Sequence, residues 1–172
     1  MSTDFNYGFD NAKDLLEKLK RDRASLNLAI NEQNKGLIID SVFNFAVTGH
    51  SIKDWLKNGY YSSKKDKKAV EEYINDTPML RLCADLCNGS KHKLLTTRKE
   101  KDDPVHSAKD SELTMDMGTI TMDNDTITMD SDISAGCYTV RIELTSGRRV
   151  EILDFASQVV DSWASFFKAK GL

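Results

Sequence analysis

The chain is poor in the features that announce a familiar chemistry. It has three cysteines and three histidines among 172 residues. Cys83, Cys87 and Cys137 are odd in number and lack paired metal-type spacing, which suits reduced thiols rather than a disulfide framework. No G-x-x-x-x-G-K loop and no H-E-x-x-H helix occur, and the Cys and His spacings are not those of a zinc site. No cofactor and no metal are expected. An apolar run is missing after Met1, and none reaches the roughly 20 residues of a membrane span. Neither a signal peptide nor a membrane partner is therefore predicted, and the expected compartment is the cytoplasm. A dominant charge is also lacking. The net charge is −3; residues 1–110 carry 19 Lys+Arg against 17 Asp+Glu, and residues 111–172 carry 5 against 10. Neither half is a nucleic-acid footprint by itself.

What is there describes a globular domain of ordinary composition, 40% hydrophobic and 30% charged. The stretch Leu37–Leu56, LIIDSVFNFAVTGHSIKDWL, is apolar nearly all round, and such a helix is expected to be buried. It predicts the central helix of a bundle. Before it, Leu15, Leu16, Leu19, Leu26, Ala29 and Ile30 mark a first helix starting at Asn11, with Gly36 as its C-cap. After it, Ser63 is placed to cap a helix over 64–75, and Thr77-Pro78 to start another running to about His92 or Leu95.

Residues 96–112 are charged, aperiodic and contain Pro104, which predicts an exposed loop; His106 stands alone in it. Thr-Met-Asp then recurs at 114–116, 121–123 and 128–130. Thr alternating with Ile or Met is strand patterning, and the seven-residue period predicts short strands joined by two-residue turns. Asp123, Asp125, Asp130 and Asp132 lack the Gly and terminal Glu of an EF-hand loop. A hairpin of 138–144 with 149–153 follows, then a helix capped by Asp154 and striped with Phe155, Val159, Val160, Trp163, Phe166 and Phe167. The predicted fold is mainly α (α+β): a helical bundle around a central buried helix, with a small antiparallel meander or hairpin before the last helix. The chain reads as one domain, 1–172. A helical half spans 10–95, an exposed loop and repeat insertion 96–137, and the hairpin with the C-terminal helix 138–172.

Two polar sets stand out. His50 and Asp54 are four apart on the central helix, so they either pair within the core or line a pocket. Arg81, Asp85, Asn88 and His92 are spaced 4, 3 and 4 apart and share one face of the fourth helix if it persists past Gly89, with Lys91 adjoining. Arg, Asp, Asn and His can hold and polarise a phosphate, and His is the natural proton carrier near neutral pH. Lys64, Lys65, Lys67 and Lys68 either touch phosphate or form a solvated helix face.

The segment Cys87-Asn88-Gly89-Ser90-Lys91-His92 resembles the signature region of the HEPN superfamily. The resemblance implies a compact helical domain, often dimeric, of prokaryotic toxin–antitoxin and phage-defence systems, many of whose members are metal-independent ribonucleases. Asn88 and His92 fit the family's spacing, whereas Cys87 stands where its catalytic Arg belongs and Arg81 is the nearest alternative. FNFAVTGHSIKDWL together with CNGSKH also resembles a set of small bacterial and phage proteins with a helical half, a hairpin and a Trp-containing last helix. The expectation is an accessory protein that binds RNA or a protein partner through Arg81, Asp85, Asn88, Lys91 and His92, with His50 and Asp54 as further binding residues. The departure at Cys87 argues against catalysis. A metal-independent ribonuclease using His92, Asn88 and Arg81 is the alternative, and a purely structural interaction protein the third.

Overall fold

The computed structural model describes residues 8–91, 112–115, 118–123, 126–128, 140–143 and 149–172, with side chains described at 8–89, 140–142 and 149–172. The helices are α1 (Ala12–Asn31), α2 (Lys35–Trp55), α3 (Lys64–Asp76), α4 (Pro78–Lys91) and α5 (Ile152–Lys170). The strands are β1 (Glu112–Met115), β2 (Gly118–Asp123), β3 (Thr126–Thr128), β4 (Val140–Glu143) and β5 (Arg149–Glu151). The architecture is the predicted one, a helical bundle with an antiparallel sheet before the last helix.

Helix boundaries follow local chemistry. Asn11 caps α1, its side chain accepting from the N–H groups of Lys13 and Asp14, while Asp14 reaches back to the Asn11 N–H. Gly36 does not end α1. Gln33 takes the left-handed position at φ 54°, and Asn34 then caps α2, so Gly36 falls inside the first turn of α2. Ser63 caps α3 as expected. Thr77 begins α4 with its carbonyl, but its hydroxyl donates back to the Tyr73 carbonyl at 2.7 Å. Glu151, not Asp154, caps α5, its carboxylate accepting from the Asp154 N–H at 2.7 Å. The second strand of the hairpin is correspondingly shorter than predicted.

The sheet runs in the order β3-β2-β1-β4-β5, with every neighbour antiparallel. The repeat therefore does form a meander, and Glu112, expected in the loop, opens its first strand. Register sets Leu113 opposite both Ile120 and Ile142, and Ile142 opposite Val150. Val140 and Ile142 are fully buried against the helical core. The rest of the predicted loop, with Pro104 and His106, lies outside the described residues, as do Cys137 and three of the four repeat aspartates.

α1, α4 and α5 all pack on α2. They converge on Gly49. An added Cβ there would meet Leu19 of α1 at 3.4 Å, Cys83 of α4 at 2.8 Å and Val159 of α5 at 3.5 Å. The Gly49 carbonyl accepts from the Trp163 indole N–H at 2.9 Å, which satisfies the donor of a side chain only 1% exposed. Tyr73, Trp163 and Phe166 form an aromatic cluster that ties α3 to α5, with the Tyr73 hydroxyl on the Ser162 carbonyl. Thr48 is buried but bonded to Asp22, and Lys18 bridges the two.

One expectation about α2 needs correction. Its apolar residues do not all go inside: Leu37 and Phe43 are each 46% exposed, beside exposed Asp40 and Asn44. Three partner helices cover only part of a helix circumference, so an all-round apolar pattern leaves an open face here. No helix among the described residues is long and apolar enough to cross a membrane.

Candidate functional site

α4 is the most enclosed of the helices: no residue from Met79 to Gly89 is exposed. It tolerates Gly89 near its end and continues to Lys91, so Arg81, Asp85 and Asn88 do share one face. Arg81 and Asn88 are half-buried, while the Asp85 side chain lies inside at 6% exposure. A carboxylate held that deep needs partners, and both Asp85 and Arg81 are engaged. This face is partly closed: Asp85 is interior, while Arg81 and Asn88 keep part of their surface toward solvent. The Lys91 side chain and all of His92 lie outside the described residues.

Cys87 is fully buried. The residue that departs from the resembled motif is therefore turned into the core. Cys83, one turn earlier, is also buried. Burial pushes its thiol far above the ordinary range, reinforced by Cys87 and Asp85, and the thiol donates weakly to the Ala46 carbonyl. Neither sulfur is poised as a nucleophile.

The second polar set centres on His50, which is half-buried near the C-terminal end of α2. Asp54, its expected partner, is exposed. The His50 charge also acts on Glu71 of α3, a residue without a sequence motif of its own. Burial alone would raise the Glu71 pKa. The hydrogen bond from Lys57 and the charges of Lys53, Lys57 and His50 outweigh it and hold the carboxylate below its ordinary value. Lys57 is correspondingly raised by that bond, against some burial, with Glu71 and Asp54 adding to it. The arrangement gathers one imidazole, one carboxylate and two lysines whose charges act on one another.

The device that brings Lys57 back onto Glu71, 14 residues later, is a π-helical turn at Leu56–Tyr60 that extends α2. It closes with the Tyr61 N–H on the Leu56 carbonyl at 3.1 Å. Such turns are rare and recur at functional sites. The next residue, Tyr61, has an enclosed hydroxyl with no hydrogen-bond partner among the described residues, and burial raises its pKa, with Asp66 adding to this. The only sequence signal for Glu71 was its place one residue after the core position Val70 and three before Ile74. The π turn that gives it partners has no such signature.

The structure thus groups Arg81, Asp85 and Asn88 on α4, and groups His50 with Glu71, Lys53 and Lys57 between α2 and α3. No protein-family model matches this chain, and no curated protein or solved structure gives a significant match.

Proposed function

We propose that this is a HEPN-like accessory protein, acting in the cytoplasm of a bacterial or phage-infected cell, that binds RNA without cleaving it. The observation that carries the reading is the burial of Cys87 beside an intact Arg81–Asp85–Asn88 face. Arg81 and Asn88, half-buried at the edge of that face, are the residues that would meet a phosphate, while the motif position that would do chemistry is a buried thiol in the core. Full-length protein incubated with labelled RNA in EDTA tests this, beside a folded His92→Ala variant. The expected result is binding that weakens with salt and no cleavage by either protein. Cleavage by the wild type that His92→Ala abolishes would refute the reading in favour of a metal-independent ribonuclease.

A second reading has its own observation. Leu37 and Phe43 are exposed on α2, and open apolar surface is what a protein partner or a second copy would cover. Absence of RNA binding, with association lost on Phe43→Ser, would favour it.

A further inference from the structure

The start of α3 carries a pattern that its own stability does not call for. Four of its first five residues are lysine: Lys64, Lys65, Lys67 and Lys68. A helix N-terminus bears partial positive charge, so cations there are disfavoured by about 0.3–1 kcal/mol each. Only Lys68 recovers part of this, through an exposed pair with Glu72 at 2.9 Å. Lys64, Lys65 and Lys67 have no ion pair among the described residues. The single acid in this stretch, Asp66, is folded back onto the cap: its carboxylate accepts from the Ser63 hydroxyl at 2.6 Å, and Ser63 Oγ accepts from the Asp66 N–H. Residues 57–68 hold five lysines and one aspartate, net +4, in a chain of net −3. At the other end of the connection, Tyr60, the last residue of the π turn, is 39% exposed.

We propose that the α2–α3 connection is a docking strip for single-stranded RNA. Lys64, Lys65 and Lys67 contact phosphates, and Tyr60 offers a face on which an unpaired base stacks. The inference rests on the reading of the chain as an RNA binder and assigns the contact surface to residues outside the α4 face. An anionic membrane fits less well. Among the described residues the exposed large hydrophobics are Leu28, Leu37, Phe43 and Tyr60; the first three lie in α1 and the first half of α2, so Tyr60 alone accompanies the lysines and no aliphatic wedge does.

The test measures binding of a labelled oligouridylate to the full chain by fluorescence anisotropy across a salt series. Wild type is compared with Lys64→Ala/Lys65→Ala/Lys67→Ala and with Tyr60→Ala, and circular dichroism checks each fold. The triple variant is expected to lose about 2 from the log–log salt slope, at about 0.7 per phosphate contact on a single strand. Tyr60→Ala is expected to weaken binding about tenfold at unchanged slope, with a smaller effect on a duplex. If wild type binds but the triple variant keeps its affinity and slope, the strip is refuted while RNA binding stands. If wild type binds no RNA, both readings fall. Binding to phosphatidylserine vesicles but not to RNA would overturn the strip in favour of a membrane surface.

Discussion

Replacing Gly49 by Ala tests the helix crossing directly. The new methyl would sit 2.8 Å from Cys83 Sγ, where ordinary contact begins near 3.4 Å, so the sulfur must yield about 0.6 Å. It cannot yield freely, because it is 1% exposed and rests on the Ala46 carbonyl at 3.6 Å. Overpacking of this kind costs about 1–3 kcal/mol, whereas Gly to Ala in a helix interior gains about 1 kcal/mol. Gly49→Ala should therefore destabilise the protein by about 1 kcal/mol, which lowers Tm by about 2–4 °C in a chain of this size. In a Cys83→Ala background the obstructing atom is gone, and the remaining contacts, 3.4 Å to Leu19 and 3.5 Å to Val159, are ordinary. There the same substitution should stabilise by up to about 1 kcal/mol. Urea unfolding of the four proteins, followed by tryptophan fluorescence, closes the cycle. The reasoning is refuted if Gly49→Ala costs the same in both backgrounds, since Cys83 would then not be the obstacle.

Other consequences follow from single contacts. Tyr61→Phe removes an enclosed hydroxyl without a partner among the described residues and should raise stability by up to about 1 kcal/mol in urea unfolding. Glu71 has a folded pKa below its ordinary 4.5, so its contribution is present above that value and lost as pH falls through the lowered one. Acid titration of Glu71→Gln should accordingly show a shallower loss of stability below pH 4.5 than the wild type. Lys57 shifts the other way: its contribution is full below its ordinary 10.5 and is lost as pH rises through the raised value. Cys83 and Cys87 are both buried, so iodoacetamide should label neither peptide until denaturant is added, as read by mass spectrometry.

Much of the fold was legible because its signals are local. The start of α1 near Asn11, the Ser63 cap, the Thr77-Pro78 start and the aromatic stripe of α5 each depend on neighbours within a turn or two. The seven-residue repeat likewise read as a meander because alternation and turn spacing lie within one stretch. The boundary errors have local causes that a residue type alone does not reveal. Gln33 accepted a left-handed backbone that Gly36 was expected to take, and Glu151 reached the Asp154 N–H that Asp154 was expected to cap.

The candidate site was legible only in part. The 4, 3 spacing put Arg81, Asp85 and Asn88 on one face, and helix geometry alone guarantees that. Whether the face meets solvent or interior depends on what packs over it, and α4 proved to be enclosed. The one-turn spacing of His50 and Asp54 was legible, whereas the His50 charge acting on Glu71 of α3 depends on how two helices pack.

By itself, then, the sequence determined the helices, the strands and which residues could cap and stripe them, because hydrophobic periodicity and backbone hydrogen bonding act over a few residues. Only the tertiary structure decided which apolar face of α2 stays open, that Asp85 of α4 lies inside, and that a π turn carries Lys57 onto Glu71. Each of those outcomes depends on the surfaces of several helices meeting at once, and contacts between residues distant in the chain leave no mark in the local pattern.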